Sequence, residues 1–194
     1  KAITEATCIG NLLCSEGYDL LLQSPFPKAK EALHEVLQMY TTVNEGQILD
    51  CQDNLSKDDY ITMINKKTGV FIVCAARMGA YLASQDKKTV DRISYVFEPA
   101  SLTFQVTDDL LDLEPSREDK QYSDIRNGKE NILAAVFRER ATPDQLKLFN
   151  ASFGNRSATK QQLEVAASLL KETKTVEEVT ALRDKLYQES LERL

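Results

Sequence analysis

The sequence has a single histidine, His34, in 194 residues. One imidazole cannot supply a multi-histidine metal site, and we expect it to form no catalytic triad. His34 stands beside Glu31 and Glu35, so we interpret it as a solvated or simply hydrogen-bonded side chain. Any metal in this protein must therefore rely on other ligands.

Cysteine is also sparse, and its four positions, Cys8, Cys14, Cys51 and Cys74, include no C-x-x-C pair. That spacing is typical of redox and zinc motifs, so its absence argues against such sites. Three of the four cysteines lie in apolar helical patterns. We therefore expect free thiols in the core of a protein from the reducing environment of the cytoplasm.

Long apolar runs and excess positive charge are missing as well. The longest apolar run, residues 69–83, is too short to cross a membrane and contains Arg77, and no stretch resembles a signal peptide. Acidic residues number 30 against 24 basic ones, and the net charge of -6 argues against a nucleic-acid surface. We expect a soluble protein, not an integral membrane protein, that binds anions through local cations or a metal.

Apolar residues recur at helical spacing along the chain, and no alternating pattern predicts a strand. A length of 194 residues fits one domain, and 42% hydrophobic with 28% charged residues is typical of a globular protein. We predict a single all-α domain, a helical bundle over residues 1–194. The predicted helices are 4–23, 27–51, 56–68, 69–84, 88–113, 130–140, a short one from 143, 159–172 and 175–194.

Local signals refine these helices. Thr68 is predicted to cap a new helix, and Thr175 and Glu178 to form a capping box for the last one. Pro99 predicts a kink in the helix over 88–113. The first two helices carry apolar stripes, and the second stripe is expected to be buried: Ala6, Ile9, Leu12, Leu13, Leu20, Leu21, and then Leu33, Val36, Leu37, Tyr40, Val43.

Three carboxylates, Asp108, Asp109 and Asp112, interrupt the apolar pattern near the end of the long helix. Helical geometry places Asp108 and Asp112 one turn apart on one face, with Asp109 beside them. Charges about 4 Å apart repel by roughly 4 kcal/mol at an effective dielectric constant of about 20, and no Lys or Arg lies within a turn. The cluster must be solvated, partly protonated or neutralised by a ligand, and its oxygen chemistry suits Mg²⁺ that bridges to a phosphorylated molecule.

Two other interpretations of this cluster are weaker. Thr107 could be an N-cap, with the aspartates in the first turn of a new helix, but the apolar pattern from Val90 to Val106 continues without a turn signal. An EF-hand loop is excluded because no glycine follows at the required offset. We therefore expect one helix to run through the aspartates.

Polar groups elsewhere in the sequence can complete such a site. Lys67 and Thr68 lie at a predicted helix junction, and Lys129 follows a glycine in a turn shortly after the aspartates. Gln105 precedes Asp109 by one turn among apolar neighbours, so we expect its amide to have a specific partner. Lys67 and Lys129 thus supply the ammonium groups that a diphosphate needs.

Four segments carry a family pattern: Gly46-Gln47-Ile48-Leu49-Asp50, the stretch from Tyr60 to Lys67-Thr68 with Gly79-Ala80, Phe104-Gln105-Val106-Thr107-Asp108-Asp109-Leu110-Leu111-Asp112, and Asp124-Ile125-Arg126-Asn127-Gly128-Lys129. In order and spacing they resemble the trans-isoprenyl (polyprenyl) diphosphate synthase family. The resemblance covers nearly all of the chain and the C-terminal two-thirds of the family pattern. It implies an isoprenoid-synthase-type helical bundle, truncated at the N-terminus.

The resemblance also implies a reaction and its partners. An allylic diphosphate ionises, isopentenyl diphosphate attacks the cation, and a proton is lost, in a prenyl transfer of isoprenoid biosynthesis. Lys67 and Gln105 would be the catalytic groups, and the family is typically homodimeric. The resemblance implies that Asp108, Asp109 and Asp112 bind Mg²⁺. Lys67 and Lys129 would bind the allylic diphosphate. Gln105 and Thr68 would face the allylic cation.

The sequence also departs from the family pattern. The first aspartate-rich motif and the Gly-Lys and Arg-Arg-Gly segments that bind isopentenyl diphosphate are absent. Asn11 stands where Asp is usual, Lys120 is one residue out of place, and residues 130–133 replace the usual Thr-Leu-Pro. We therefore expect a C-terminal portion of a longer synthase, inactive by itself.

Three other functions are open at this level. The departures at Asn11 and residues 130–133 favour a non-catalytic partner subunit of a heteromeric prenyltransferase. A class I terpene cyclase needs an Asn, then a Ser or Thr four residues later, and then a Glu four residues after that. Asn155 and Thr159 begin this pattern, but Glu164 lies one residue beyond the position that the Glu should occupy. A purely structural bundle would leave the buried carboxylates unexplained.

Overall fold

The computed structural model describes residues 1–83, 86–114 and 121–194. These ranges contain ten α-helices and one π-helical turn, with no β-strand among them, so the all-α prediction is confirmed. The predicted helix end at Ser84 and the misplaced Lys120 lie outside the described residues. The elements are α1 (Ala2–Gln23), α2 (Ala29–Asp50), α3 (Lys57–Ile64), the π-turn (Asn65–Gly69), α4 (Val70–Ala83), α5 (Lys87–Leu111), α6 (Ser123–Asn127), α7 (Ile132–Arg140), α8 (Pro143–Asn150), α9 (Lys160–Glu172) and α10 (Thr175–Glu192).

The core is built around α7. Its residues from Ile132 to Phe137 are all buried, with at most 2% of any side chain exposed, which is the pattern of a helix enclosed by other elements. Residues of α3, α5, α9 and α10 belong to the same apolar cluster. The rings of Phe137 and Phe149 pack with their centroids 4.7 Å apart. Side chains on α3 and α5 are therefore anchored on a dense core.

Helix α1 lies at the other extreme of burial. It packs against α2, and none of its 22 residues is buried. Ile3, Leu13 and Leu20 are 84%, 69% and 69% exposed. Its apolar stripe therefore faces outward from the described part of the chain.

The predicted buried stripe of α2 is wrong. Leu37 and Tyr40 are exposed, and Leu33, Val36 and Val43 are only partly covered. Small residues are buried instead, because α2 is approached closely by the π-turn and α4 and larger side chains lie outside that contact. The buried residues of α2 are Ala29, Ala32 and Gly46.

All four cysteines are free, but the prediction of core thiols is wrong for three of them. Cys74 on α4 is buried, whereas Cys8, Cys14 and Cys51 are exposed. Cys8 and Cys14 belong to α1, which buries no residue, and Cys51 caps the end of α2. For Cys8 and Cys14, an apolar sequence context did not ensure burial because no residue of α1 is buried in the described chain.

The junction between α3 and α4 is a π-helical turn rather than a break. Ser56 caps α3, and its hydroxyl oxygen accepts from the backbone N–H of Asp59 at 3.1 Å. Thr68 is not a helix cap, because it lies inside the π-turn and the chain continues directly into α4. A π-turn takes up an extra residue without ending the helix, so no cap is needed there.

Helix α5 runs without a break through Pro99 and Thr107, so the single helix expected through the aspartates is confirmed. Thr107 is not an N-cap, since its hydroxyl donates to the carbonyl of Thr103 inside the helix at 2.7 Å. Asp86 caps the start of α5 by accepting from the backbone N–H of Thr89 at 2.9 Å. Asp112 follows as its C-cap residue.

The predicted capping box of the last helix is wrong. Lys174, in the left-handed region with φ 58°, precedes α10 and provides no side-chain cap. Thr175 is fully buried in the first turn, and its hydroxyl lies 2.9 Å from that of Thr173. Glu178 instead pairs with Lys57. An N-cap residue normally has an extended backbone. In the tight turn between α9 and α10, the residue at that position is Lys174, whose backbone is left-handed.

Candidate functional site

A cavity of about 140 Å³ opens between the end of α2, α3, the π-turn, α5 and the loop before α7. Its walls include most of the residues that the sequence analysis singled out: Lys67, Thr68, Gln105, Asp108 and Lys129. The other described residues that line it are Asp50, Tyr60, Met63, Ile64 and Glu130. The fold thus brings four distant segments to one space.

The π-turn positions Lys67 and Thr68 on the cavity wall. Helix α2 meets it at Gly46, where a Cβ atom would lie only 2.5 Å from the backbone nitrogen of Lys67. Glycine is required for such a close approach of two backbones, and π-turns inserted in helices occur frequently at functional sites. The same contact brings Asp50, at the end of α2, to the cavity.

Each lysine of the cavity is paired with a carboxylate. Lys67 Nζ lies 2.6 Å from Asp50 Oδ2, and Lys129 Nζ lies 3.2 Å from Asp124 Oδ2. Burial acts to lower the pKa of Lys129, but the nearby carboxylates of Asp124 and Asp109 outweigh it and raise the pKa. Lys129 therefore stays protonated at neutral pH. These pairs orient two ammonium groups without removing them from the cavity.

Asp109 is fully buried behind the cavity wall. Its Oδ2 accepts hydrogen bonds from the Tyr60 hydroxyl at 2.5 Å and the Ile132 backbone N–H at 3.2 Å, and its Oδ1 accepts from the Gln105 amide at 3.0 Å. Burial raises the pKa of Asp109 to about 6, although these donors act to lower it. Burial and the adjacent carboxylate raise the pKa of Tyr60 far above its usual value, so Tyr60 remains a donor.

The other two aspartates have different surroundings. Asp112 is buried, and it accepts from the Ser123 hydroxyl at 2.7 Å and the Asp124 backbone N–H at 3.1 Å. Burial raises the pKa of Asp112. Asp108 is exposed and lines the cavity. Across residues 1–83, 86–114 and 121–194, no three acidic, histidine or cysteine side chains converge into a group that could hold a metal ion.

Gln105 connects the π-turn with the aspartates. Its Oε1 accepts from the Thr68 hydroxyl over 3.5 Å, and its amide nitrogen donates to Asp109. The amide therefore has the specific partner expected from its apolar context. This chain of contacts fixes the side chains of Gln105 and Thr68 at the cavity wall.

Sequence reasoning did not assign site roles to Tyr60, Asp50, Glu130 or Arg138. A signal existed for Tyr60, because a tyrosine within an apolar helical stripe needs a hydrogen-bond partner for its hydroxyl when buried. Glu130 accepts two hydrogen bonds from Arg138, at 2.5 and 2.7 Å. Eight residues separate that pair, and no helical spacing rule connects them.

Solved structures share this fold. The crystal structure of geranylgeranyl pyrophosphate synthetase from Pyrococcus horikoshii superposes with a TM-score of 0.85. The superposition covers 95% of this chain and 58% of that chain, at 24% sequence identity. A likeness at this level of identity shows the fold, which is the isoprenoid-synthase type of helical bundle.

Sequence comparison gives the family. The geranylgeranyl diphosphate synthase of Sulfolobus acidocaldarius is 26% identical over 97% of this chain and 60% of its own length. The enzyme of the same name from Saccharolobus solfataricus is 29% identical over 66% of this chain and 41% of its own. The chain thus spans about half the length of these curated relatives. The polyprenyl synthetase model matches residues 2–170, and the chain belongs to this family.

The residues that would form a terpene-cyclase pattern have structural roles in this fold. The hydroxyl of Thr159, which would begin the cyclase pattern, caps α9 in a capping box with Gln162. Leu163, at the next position of that pattern, is buried. None of the helices in the described ranges is both long enough and apolar enough to cross a lipid bilayer.

Proposed function

We propose that this chain carries the allylic-diphosphate half of the active site of a prenyltransferase. The enzyme condenses isopentenyl diphosphate with an allylic diphosphate and releases diphosphate. One observation carries the proposal: Lys67, Lys129 and Asp108 face a single cavity whose wall also contains Gln105 and Thr68. Cations for a leaving diphosphate and oxygen atoms for a developing carbocation thus lie side by side.

The residues present fit Mg²⁺ bound together with substrate. Mg²⁺ usually keeps several waters and takes one or two carboxylates plus substrate phosphates, so a complete protein cage is unnecessary. Asp108, on the cavity wall, would hold it directly. Asp109 and Asp112 are proposed as further ligands, either through waters or by giving up hydrogen bonds to Tyr60 and Ser123. When bound, the metal supplies positive charge to the departing diphosphate.

The chain's own residues supply the remaining functions. Lys67 and Lys129 bind the diphosphate oxygens as the carbon–oxygen bond of the allylic substrate breaks. Gln105 and Thr68 present oxygen atoms to the allylic cation. The double bond of isopentenyl diphosphate then forms the new carbon–carbon bond, and the proton lost from the adduct passes to the released diphosphate. Met63 and Ile64, the apolar part of the lining, limit the access of water.

We further propose a homodimer that functions in the cytoplasm. The exposed apolar residues of α1, among them Ile9 and Leu12 at 57% and 64% exposure, support a protein contact on this helix. The relatives contain sequence that this chain does not match. The Gly-Lys and Arg-Arg-Gly segments expected to bind isopentenyl diphosphate are absent from the 194 residues. We therefore expect the 194-residue chain alone to catalyse no condensation.

Calorimetric titration with Mg²⁺ and a non-ionisable allylic diphosphate analogue tests the proposal. The wild-type chain should bind the analogue only with Mg²⁺ present, and Asp108→Ala should weaken binding by about tenfold or more, because a charged ligand group is lost. Asp19→Ala, which removes an exposed carboxylate from α1, is the matched control. A wild-type chain without Mg²⁺-dependent binding would instead be a non-catalytic partner subunit.

A further inference from the structure

Glu130 and Arg138 form a rigid ion pair beside the cavity. The two guanidinium nitrogens of Arg138 donate to both carboxylate oxygens of Glu130, at 2.5 and 2.7 Å. The side chains are only 16% and 9% exposed. The guanidinium also lies over the ring of Phe153, 5.2 Å from its centroid, and that ring stacks on Phe149. Such a bidentate, stacked arrangement holds an arginine in one geometry.

Glu130 is part of the cavity lining, whereas Arg138 is not among the described residues that line it. The described lining contains three carboxylates, of Asp50, Asp108 and Glu130, against two ammonium groups. Both ammonium groups already share their charge with Asp50 or Asp124. An unpaired Glu130 would therefore add a negative charge to a site that must accept an anion.

We propose that Arg138 is a positioning residue that neutralises Glu130 and thereby sets the affinity of the cavity for diphosphate. This inference rests on the proposed function above. Because both oxygens of Glu130 are occupied by Arg138, the carboxylate neither repels the diphosphate nor competes with it for Mg²⁺. Arg138 touches no substrate and acts only through Glu130.

Opposite signs of two substitutions follow from this electrostatic role. Arg138→Met leaves the negative charge of Glu130 uncompensated, so the affinity for Mg²⁺ with inorganic diphosphate should fall about tenfold or more. Glu130→Gln leaves the positive charge of Arg138 uncompensated, so affinity should be unchanged or up to about threefold tighter. The double variant has neither charge and should return to within about threefold of wild type.

The experiment is calorimetric titration of all four proteins with inorganic diphosphate and Mg²⁺, at low and high salt, together with thermal unfolding of each. The losses and gains should shrink as salt increases, because they arise from charge. Arg140→Met is the matched control: Arg140 lies on the same helix and pairs with Glu178, a carboxylate that does not line the cavity. Arg138→Lys keeps the charge and should retain most of the affinity even where Arg138→Met folds poorly.

Each outcome decides the inference. Weaker diphosphate binding by Arg138→Met, with the affinity restored when Glu130→Gln is added, supports the inference. Glu130→Gln binding as poorly as Arg138→Met would overturn it, because the pair would then act as a structural clamp. Unchanged binding in both variants, with binding lost in Asp108→Ala, would overturn this inference alone. Absence of binding in the wild type would overturn the proposed function as well.

Discussion

Helix α7 lies at the centre of the core, whereas helix α1 lies at the surface. Every residue from Ile132 to Phe137 is at most 2% exposed, but α1 buries none of its 22 residues. The difference lies in their neighbours, since α7 contacts α3, α5 and α10 while α1 packs against α2. An apolar helical stripe therefore indicates that a helix needs a neighbour, and it does not indicate which chain supplies that neighbour.

The candidate site is connected to the buried helix α7 and not to the exposed helix α1. The backbone N–H of Ile132, at the start of α7, donates to Asp109. Asn131 caps α7 and donates its amide to Asp124, the residue that pairs with Lys129. Because the core helix and the cavity share these groups, damage to α7 should reach the site. Changes on α1 should not.

The largest effect is expected from Phe137→Ala at the centre of the core. Phe137 is fully buried and packs on Phe149, so its truncation removes apolar contacts and leaves a cavity. We expect a loss of about 3–5 kcal/mol in the free energy of unfolding, measured by urea denaturation. A loss below about 1 kcal/mol would contradict the enclosed position of α7.

The next effect concerns pH. Burial raises the pKa of Asp109 from 3.8 to about 6, so between these values the folded chain holds a proton that the unfolded chain releases. The contribution of Asp109 to the free energy of unfolding is therefore fully present below pH 3.8 and is lost as the pH rises through about 6. The total loss is about 3 kcal/mol. Asp112, whose pKa is also raised by burial, contributes with the same sign.

The variant Asp109→Asn isolates this contribution. It has no proton to lose, so its free energy of unfolding should fall less than that of the wild type as pH rises from about 4 to about 6. Urea denaturation at several pH values measures the difference. Parallel curves for the two proteins would mean that Asp109 is solvated in the folded state.

Much of the fold was predictable from the sequence because local signals fix local structure. The helix predicted over 88–113 continues through Thr107 in the structure, because the apolar pattern of α5 never breaks. The errors arise where another arrangement satisfies the same backbone groups. At Thr68 a π-turn replaces a cap, and at Lys174 a left-handed residue replaces a capping box.

Part of the lining of the candidate site was predictable from the sequence, but its geometry was not. Helical spacing placed Asp108, Asp109 and Asp112 together, but one became exposed and two became buried. The donors that account for the difference, Tyr60 on α3 and Ile132 on α7, come from remote segments. Their contacts depend on how helices pack, and no sequence periodicity specifies that packing.

A smaller effect separates two helical glycines. A Cβ at Gly46 would meet the backbone of the π-turn at 2.5 Å, whereas at Gly79, on α4, nothing lies within 4 Å. Gly46→Ala should therefore cost about 1–3 kcal/mol of stability, because backbone must move. Gly79→Ala should stabilise by about 0.5–1 kcal/mol through the better helix propensity of alanine. Equal effects in thermal unfolding would mean that α2 does not press on the π-turn.

The smallest effect is expected on α1 itself. Leu12 is 64% exposed, so Leu12→Ala removes few contacts from the folded chain and changes helix propensity little. At low protein concentration we expect a change within about 0.5 kcal/mol in the free energy of unfolding, measured by urea denaturation as for Phe137→Ala. A loss above about 1 kcal/mol that grows with protein concentration would show that a second copy covers α1, because association adds to apparent stability by mass action. The contrast between α1 and α7 would then describe a single chain and not the assembled protein.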